Sequence, residues 1–302
     1  GWLTRMINEA TVQRTRFHPE LLPDARIVSA SAGYEVSPPI LDLRRFSPKV
    51  LYLTGLSVEQ SANAEVRVRN DDRQRKVSCA GLPDRKALPW FLTAGESLYY
   101  NLYAVNAISN FRTTYGVWVM RPTVAHKLAM GKQLSQAEEQ LAQSLNIRES
   151  VDKGILPLPF SYMVEREYRV VDEAVLVLTA DLSPGVYATT TISPRRGEFL
   201  VLTGIAASPG LATNGIKIRI DRDIDTDYLE LDAYALSLNE DLPCFVPAIS
   251  ELRIKVTAAQ AVSGHITRVT VKHCQLTDII RIRFGLPTMA PQSLVDRVRG
   301  GV

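Results

Sequence analysis

Two stretches of this chain alternate apolar and polar residues with a period of two. In the first, Leu98, Tyr100, Leu102 and Ala104 alternate with Tyr99, Asn101 and Tyr103. In the second, Leu252, Ile254, Val256 and Ala258 alternate with Arg253, Lys255 and Thr257. One apolar face at this spacing predicts a half-buried strand. Each stretch leads into a short polar segment, residues 106–110 or 260–264, and then into a second alternating run. That run carries Tyr115, Val117 and Val119 in one case and Val269, Val271 and His273 in the other. Asn110 and Gly264 hold the same place, and both residue types tolerate positive φ. The pattern predicts one antiparallel hairpin present twice.

The correspondence extends well beyond the hairpin. Residues 88–131 align without a gap on 242–285, an offset of 154, and 12 of these 44 pairs are identical. Chance from average usage would give roughly three. Upstream, Leu53-Thr54-Gly55-Leu56 matches Leu202-Thr203-Gly204-Ile205 at an offset of 149. The five-residue difference is expected to fall in the acidic run 221–232. Shorter strands are predicted at 50–53 and 199–202, and at 65–69 and 216–220.

Helices are predicted after each hairpin. Thr123 and Thr277 are N-caps, with Gly131 and Gly285 just past the ends. Ser135 and Glu138 have the spacing of a capping box and open a further helix running to about Leu145. Residues 291–299 have the pattern of a short remnant of it. Residues 2–13 read as a short amphipathic helix with Trp2, Met6 and Ile7 on one side.

Many short strands punctuated by Gly, Pro and Asn predict a mainly β fold with appended helices: two tandem, internally duplicated antiparallel β-sandwich domains. The expected divisions are an N-terminal arm with a short helix (1–45), a first sandwich (46–122), a helical linker (123–158), a second sandwich (159–276) and a C-terminal helix and tail (277–302).

Composition narrows the function classes. The chain has 302 residues, 46% of them hydrophobic and 22% charged, with a net charge of +3. That is enough apolar content for a full core and too little charge to imply a polyanion partner. No apolar run is long enough to span a bilayer, and Arg5, Asn8 and Glu9 stand where an export signal would need an apolar block. Cys79, Cys244 and Cys274 lack metal-site spacing and read as three small buried hydrophobes in a chain made under reducing conditions.

No catalytic signature is present: no nucleophile elbow, phosphate loop, dinucleotide fingerprint or zinc-protease motif. The acidic run is the one candidate metal site. In an extended chain Asp221, Asp223, Asp225 and Asp227 share one side and offer hard oxygen ligands for Ca²⁺. The competing reading is a solvated strand end engaged in ion pairs. The basic stretch Arg67, Arg69, Arg73, Arg75 and Lys76 lacks the interleaved aromatics of a nucleic-acid groove and reads as a strand face or protein contact. Tyr99, Tyr103 and Trp118 are expected on the outward face of the first hairpin, with Arg253 and Lys255 on that of the second. All five are candidate interface residues. The alternative for the tyrosines is cover by the helix at 135–145.

Residues 53–55 and the segment Phe91-Leu-Thr-Ala-Gly-Glu-Ser-Leu98, with their repeats, resemble strand entries of virion structural proteins of tailed bacteriophages. The resemblance spans roughly residues 41–286 and carries over no functional residue. It implies a non-enzymatic capsid, neck or tail subunit, made in the host cytoplasm and located in the virion. Its partners would be copies of itself and other assembly proteins. No cofactor, small-molecule substrate, membrane or nucleic-acid contact is expected. The residues themselves leave two other readings: a carbohydrate- or ligand-binding module pair assisted by Ca²⁺, and a hydrolase using the carboxylates of 221–232.

Overall fold

The computed structural model describes residues 20–36, 50–59, 61–70, 74–81, 92–94, 98–120, 124–129, 131–152, 168–223, 228–284 and 286–287. The expected helices at 2–13 and 291–299 lie outside them.

The first half contributes β1 (Glu20–Ala30), β2 (Glu35–Val36), β3 (Val50–Val58), β4 (Ala64–Asn70), β5 (Gln74–Ser78), β6 (Leu92–Ala94), β7 (Leu98–Ala104) and β8 (Ile108–Met120). Three helices follow: α1 (Val124–Ala129), α2 (Gln136–Ser144) and α3 (Ile147–Asp152). The second half contributes β9 (Val170–Leu182), β10 (Ala188–Ile192), β11 (Glu198–Ala207), β12 (Lys217–Arg222), β13 (Leu229–Asp232), β14 (Leu242–Ala248), β15 (Leu252–Thr257) and β16 (Val262–Gln275), then α4 (Asp278–Arg283). The chain is mainly β, with antiparallel sheets and short appended helices.

Each half has the same strand order. Four strands of the first half form the run β6-β3-β8-β1 and the other four form β2-β7-β4-β5. The second half repeats this as β14-β11-β16-β9 and β10-β15-β12-β13. Two four-stranded layers filled in this order make a jelly roll, the eight-stranded double-sheet design. The two larger runs join edge to edge through β1 and β14, giving one eight-stranded sheet across the molecule.

This topology corrects the expected hairpin. β7 and β8 are consecutive but lie in different sheets, as do β15 and β16. Their apolar faces, Leu102 and Ala104 against Phe111, Tyr115 and Val117, meet in one buried core. Alternation reports which face is buried and is blind to the partner strand. Asn110 (φ +52°) and Gly264 (φ +63°) do adopt the left-handed conformation. They sit within β8 and β16, where the ladders to β1 and β9 shift register. The Asn110 N–H donates to Ser29 Oγ at 3.0 Å and the Gly264 N–H to Asp181 Oδ1 at 2.8 Å.

The Leu-Thr-Gly match has a similar explanation. The ladder between β3 and β8 shifts between Thr54 and Ser57, and that between β11 and β16 between Leu202 and Gly204. The shared motif marks a β-bulge in each half. At Gly204 an added Cβ would lie 2.9 Å from Asp241 Oδ2, so the bulge brings backbone close to a side chain that holds Arg268 and Thr270.

The core is continuous across both halves. Leu22, Val66, Leu102 and Tyr115 from the first belong to the same buried cluster as Leu202, Ile218, Ile254 and Val271 from the second. Burying a side chain of this size stabilises the fold by about 1.5–3 kcal/mol. A second cluster covers the outer side of the large sheet. Tyr168, Phe199, Val201 and Cys274 meet Ile280 and Phe284 of α4 there. Tyr168 stacks on Phe245 at 5.3 Å and meets Phe199 edge-on at 5.4 Å. The helices after the first half gather around Val124, Leu141, Ala142 and Ile147. The capping box forms as expected: Glu138 N–H donates to Ser135 Oγ at 3.3 Å, and Ser135 N–H donates to Glu138 Oε2 at 2.9 Å.

Residues 20–36, assigned from sequence to a terminal arm, supply β1 and β2 of the first sandwich. β1 is long and carries Glu20, Asp24 and Arg26, so its alternation is masked by charge. The acidic run 221–232 likewise contains the end of β12 and the whole of β13, which pair as β4 and β5 do, rather than an insertion. Register places Glu65 level with Lys217 and Arg69 level with Asp221. Three of the five extra residues therefore fall between β11 and β12 and two between β12 and β13.

Candidate assembly interface

The most specific polar contacts in the molecule lie where the halves meet. The N-terminal end of β1 pairs with β14, Leu21 opposite Phe245. Glu20, buried, accepts from both terminal nitrogens of Arg222 at 2.7 and 2.8 Å. Arg222 also donates to the Pro247 carbonyl. Farther along β1, the Ile27 N–H donates to Asp232 Oδ2 at 2.9 Å, and Lys217 pairs with the other oxygen of that buried carboxylate. The Arg112 guanidinium lies 4.0 Å from the Tyr234 ring, in the turn after β13. A bidentate pair, a backbone-to-carboxylate bond and a stacked guanidinium set both register and angle between the halves. None of these pairs was singled out from sequence: Glu20 and Arg222 are 202 residues apart.

The five candidate interface residues lie on strands of three different sheets. Tyr103 lies on β7, half-buried, with the Arg67 guanidinium 4.1 Å above its ring. Tyr99 stands opposite Arg69 in the same ladder. Trp118 is in β8, opposite Leu21, and so belongs to the other sheet, in a row with Phe245. Its grouping with the tyrosines is corrected, because the chain crosses between layers after residue 104. The side chains of Tyr99 and Trp118 lie outside the described residues.

Arg253 and Lys255 face outward on β15 beside Asp221 of β12. Lys255 Nζ is 3.0 Å from Asp221 Oδ2, and Arg219 Nε donates to Oδ1 at 2.7 Å. Arg253 pairs with Glu251 and donates to the Asp223 carbonyl at 2.9 Å. Burial pushes the Asp221 carboxyl up, but hydrogen bonds from Arg219 and Lys255 outweigh it and hold it below the usual range. Arg219 also stacks on Tyr228 at 3.6 Å. Both Asp221 oxygens thus face the protein's own cations. Asp223, with φ +51°, accepts from the Ser250 and Glu251 N–H groups at 2.6 and 3.3 Å. Asp225 and Asp227 lie outside the described residues. Among the described residues no group of three His, Cys, Asp or Glu side chains is placed to hold a metal.

A second polar site is internal to the first half. Asp24 is buried, accepts from the Tyr115 hydroxyl, and accepts from Arg26 Nε at 2.8 Å. Burial raises its pKa above the ordinary 3.8, against the opposing pull of Arg26 and Tyr115. All three cysteines are buried and free, with burial pushing the Cys79 and Cys274 thiols up to about 11. They are poor nucleophiles in that state. Among the described residues no helix is long and apolar enough to cross a membrane.

No family model matches the chain, and no curated protein matches it. Solved structures with some similarity include a chain from a structure of the triple jelly roll fold and turret assembly in an archaeal virus. It is 9% identical, with 84% of this chain and 59% of that chain covered and a TM-score of 0.26. A chain from Sulfolobus turreted icosahedral virus is 10% identical, with 84% and 60% covered and a TM-score of 0.25. Vicilin from tomato, Solanum lycopersicum, is 9% identical, with 87% and 84% covered and a TM-score of 0.20. The chain spans about 60% of the length of the two viral chains. Similarity this slight assigns neither fold nor function, and the architecture rests on the strand order above.

Proposed function

We propose that this protein is a non-enzymatic structural subunit of a large symmetric assembly, acting through repeated protein–protein contacts. The supporting observation is the pair of sandwiches with one strand order, joined into a single sheet by a buried, polar-stapled junction. Such a chain presents two similar flanks in fixed relation, which suits positions that are nearly but not fully equivalent. The duplication behind the two halves is part of this proposal, supported by the 12 identities in 44 aligned residues and by the shared bulges. The sequence resemblance to tailed-phage virion proteins points to a capsid, neck or tail as the setting. Sedimentation of the purified full chain over a concentration series, with electron microscopy of the fractions, tests the reading. Defined oligomers growing with concentration are expected. A strictly monomeric chain at several hundred micromolar would overturn it.

A further inference from the structure

The two ends of the eight-stranded sheet are β6 and β9, and these are the counterparts of the strands that meet inside the molecule. β9 corresponds to β1: Ala174 stands opposite Val271 as Leu22 stands opposite Val117, the same position of the repeat. β6 corresponds to β14: Leu92 stands opposite Leu53 as Val246 stands opposite Leu202. Internally, the open edge of β1 receives β14, β13 and the turn after β13. At the far end of the sheet β9 pairs, among the described residues, with β16 alone.

Equivalent residues show the consequence. Ala25 of β1 is 0% exposed and Pro23 is buried. Their counterparts on β9, Val177 and Val175, are 59% and 58% exposed. Val170 and Val171 at the start of β9 are also exposed. An edge strand of 13 residues with a valine-rich outer face and, among the described residues, no partner on its far side invites another strand. In the first half that invitation is answered by the flank of the second. The same flank of the first half, formed by β6, β5 and the turn Cys79–Gly81, stands at the opposite end of the chain's own sheet.

We propose that β9 binds the β5–β6 flank of a second copy of this chain, repeating the internal junction between molecules. The inference rests on the assembly reading and names its contact. Because the two edges differ, the contact is head-to-tail: each copy offers one edge and accepts the other, and the series closes into a ring or continues as a filament. The backbone bond from Ile27 to Asp232 gives the register. Its counterpart places Thr179 of one copy beside Ser78 of the next, and both residues are exposed in the single chain.

The test uses two full-length single variants, Ser78→Cys and Thr179→Cys, oxidised separately and mixed. Interchain disulfides in the mixture, with neither variant linking to itself, are the expected result. Thr179→Cys linking to itself would mean two-fold pairing of β9 with β9 and would overturn the head-to-tail contact. In addition, Val175→Lys with Val177→Lys should raise the dissociation constant of the oligomer at least tenfold without changing the far-ultraviolet spectrum. If oligomers persist unchanged in that double variant and no mixed disulfide forms, this contact is wrong and the assembly reading stands on another surface. If the unmodified chain never associates, both fall together.

Discussion

The two halves share strand order yet treat the same positions in opposite ways. Asp24 and Tyr115 form a buried polar pair in the first half, where Leu176 and Val269 stand in the second. Glu20 is buried against Arg222, while its counterpart Asp172 sits in solvent and meets Arg195 at 2.8 Å. On the outer face of the smaller sheets, Asn101 and Tyr103 on β7 give way to Lys255 and Thr257 on β15. Topology is thus carried by the apolar positions that face the core, while polar residues record what each half touches. The first half is covered along β1, while the corresponding strand of the second, β9, pairs among the described residues with β16 alone.

The comparison can be broken most severely at the junction. Arg222→Ala removes the bidentate pair to the buried Glu20 carboxylate and should cost about 3–5 kcal/mol, read as a fall in the urea midpoint. The double variant Glu20→Leu with Arg222→Met should recover most of that, since removing both charges also removes the desolvation cost. At the equivalent exposed site, Arg195→Ala should leave the midpoint where it is.

A smaller effect separates the two interiors. Asp24→Leu removes the acceptor of the buried Tyr115 hydroxyl and should cost about 1–3 kcal/mol, whereas Asp24→Leu with Tyr115→Phe should cost less and make the first half resemble the second. The pH dependence follows from the raised Asp24 pKa. Between its ordinary 3.8 and that raised value, the folded chain holds a proton that the unfolded chain has released. Stability from this group is therefore greatest at low pH and declines as pH rises through the window. The difference in urea midpoint between the parent and Asp24→Leu, followed across a pH series, should decline as pH rises through that window.

The smallest effect sharpens a likeness. Arg67 and Arg219 occupy equivalent positions, each bound to a carboxylate two residues away and each stacked on a tyrosine. Tyr103→Ala and Tyr228→Ala should each cost about 0.5–1 kcal/mol. Calorimetric midpoints shifted unequally would show that one of the two faces carries a further contact.

Much of the fold could be read along the chain. The alternating strands, the capping box at Ser135 and the left-handed positions at Asn110 and Gly264 all appear in the structure, because each depends on residues close in sequence. The first strand was missed because Glu20, Asp24 and Arg26 break its apolar rhythm, and their partners lie 202, 91 and two residues away. The acidic run has the spacing of a ligand cluster. What its spacing does not show is that Lys255 and the Ser250–Glu251 backbone come to Asp221 and Asp223 from β15 and the segment before it, beside the neighbouring Arg219.

By itself the sequence determined which faces are apolar and where the backbone must take positive φ. These follow from side-chain spacing and local sterics. Only the tertiary structure decided which strand lies beside which. It sent β7 and β8 to opposite layers, and it joined β1 to β14 through residues more than two hundred positions apart. Strand pairing is a long-range choice among edges that look alike from within the chain. It is settled by which arrangement buries the apolar faces while giving Glu20, Asp232 and the backbone of β1 their partners.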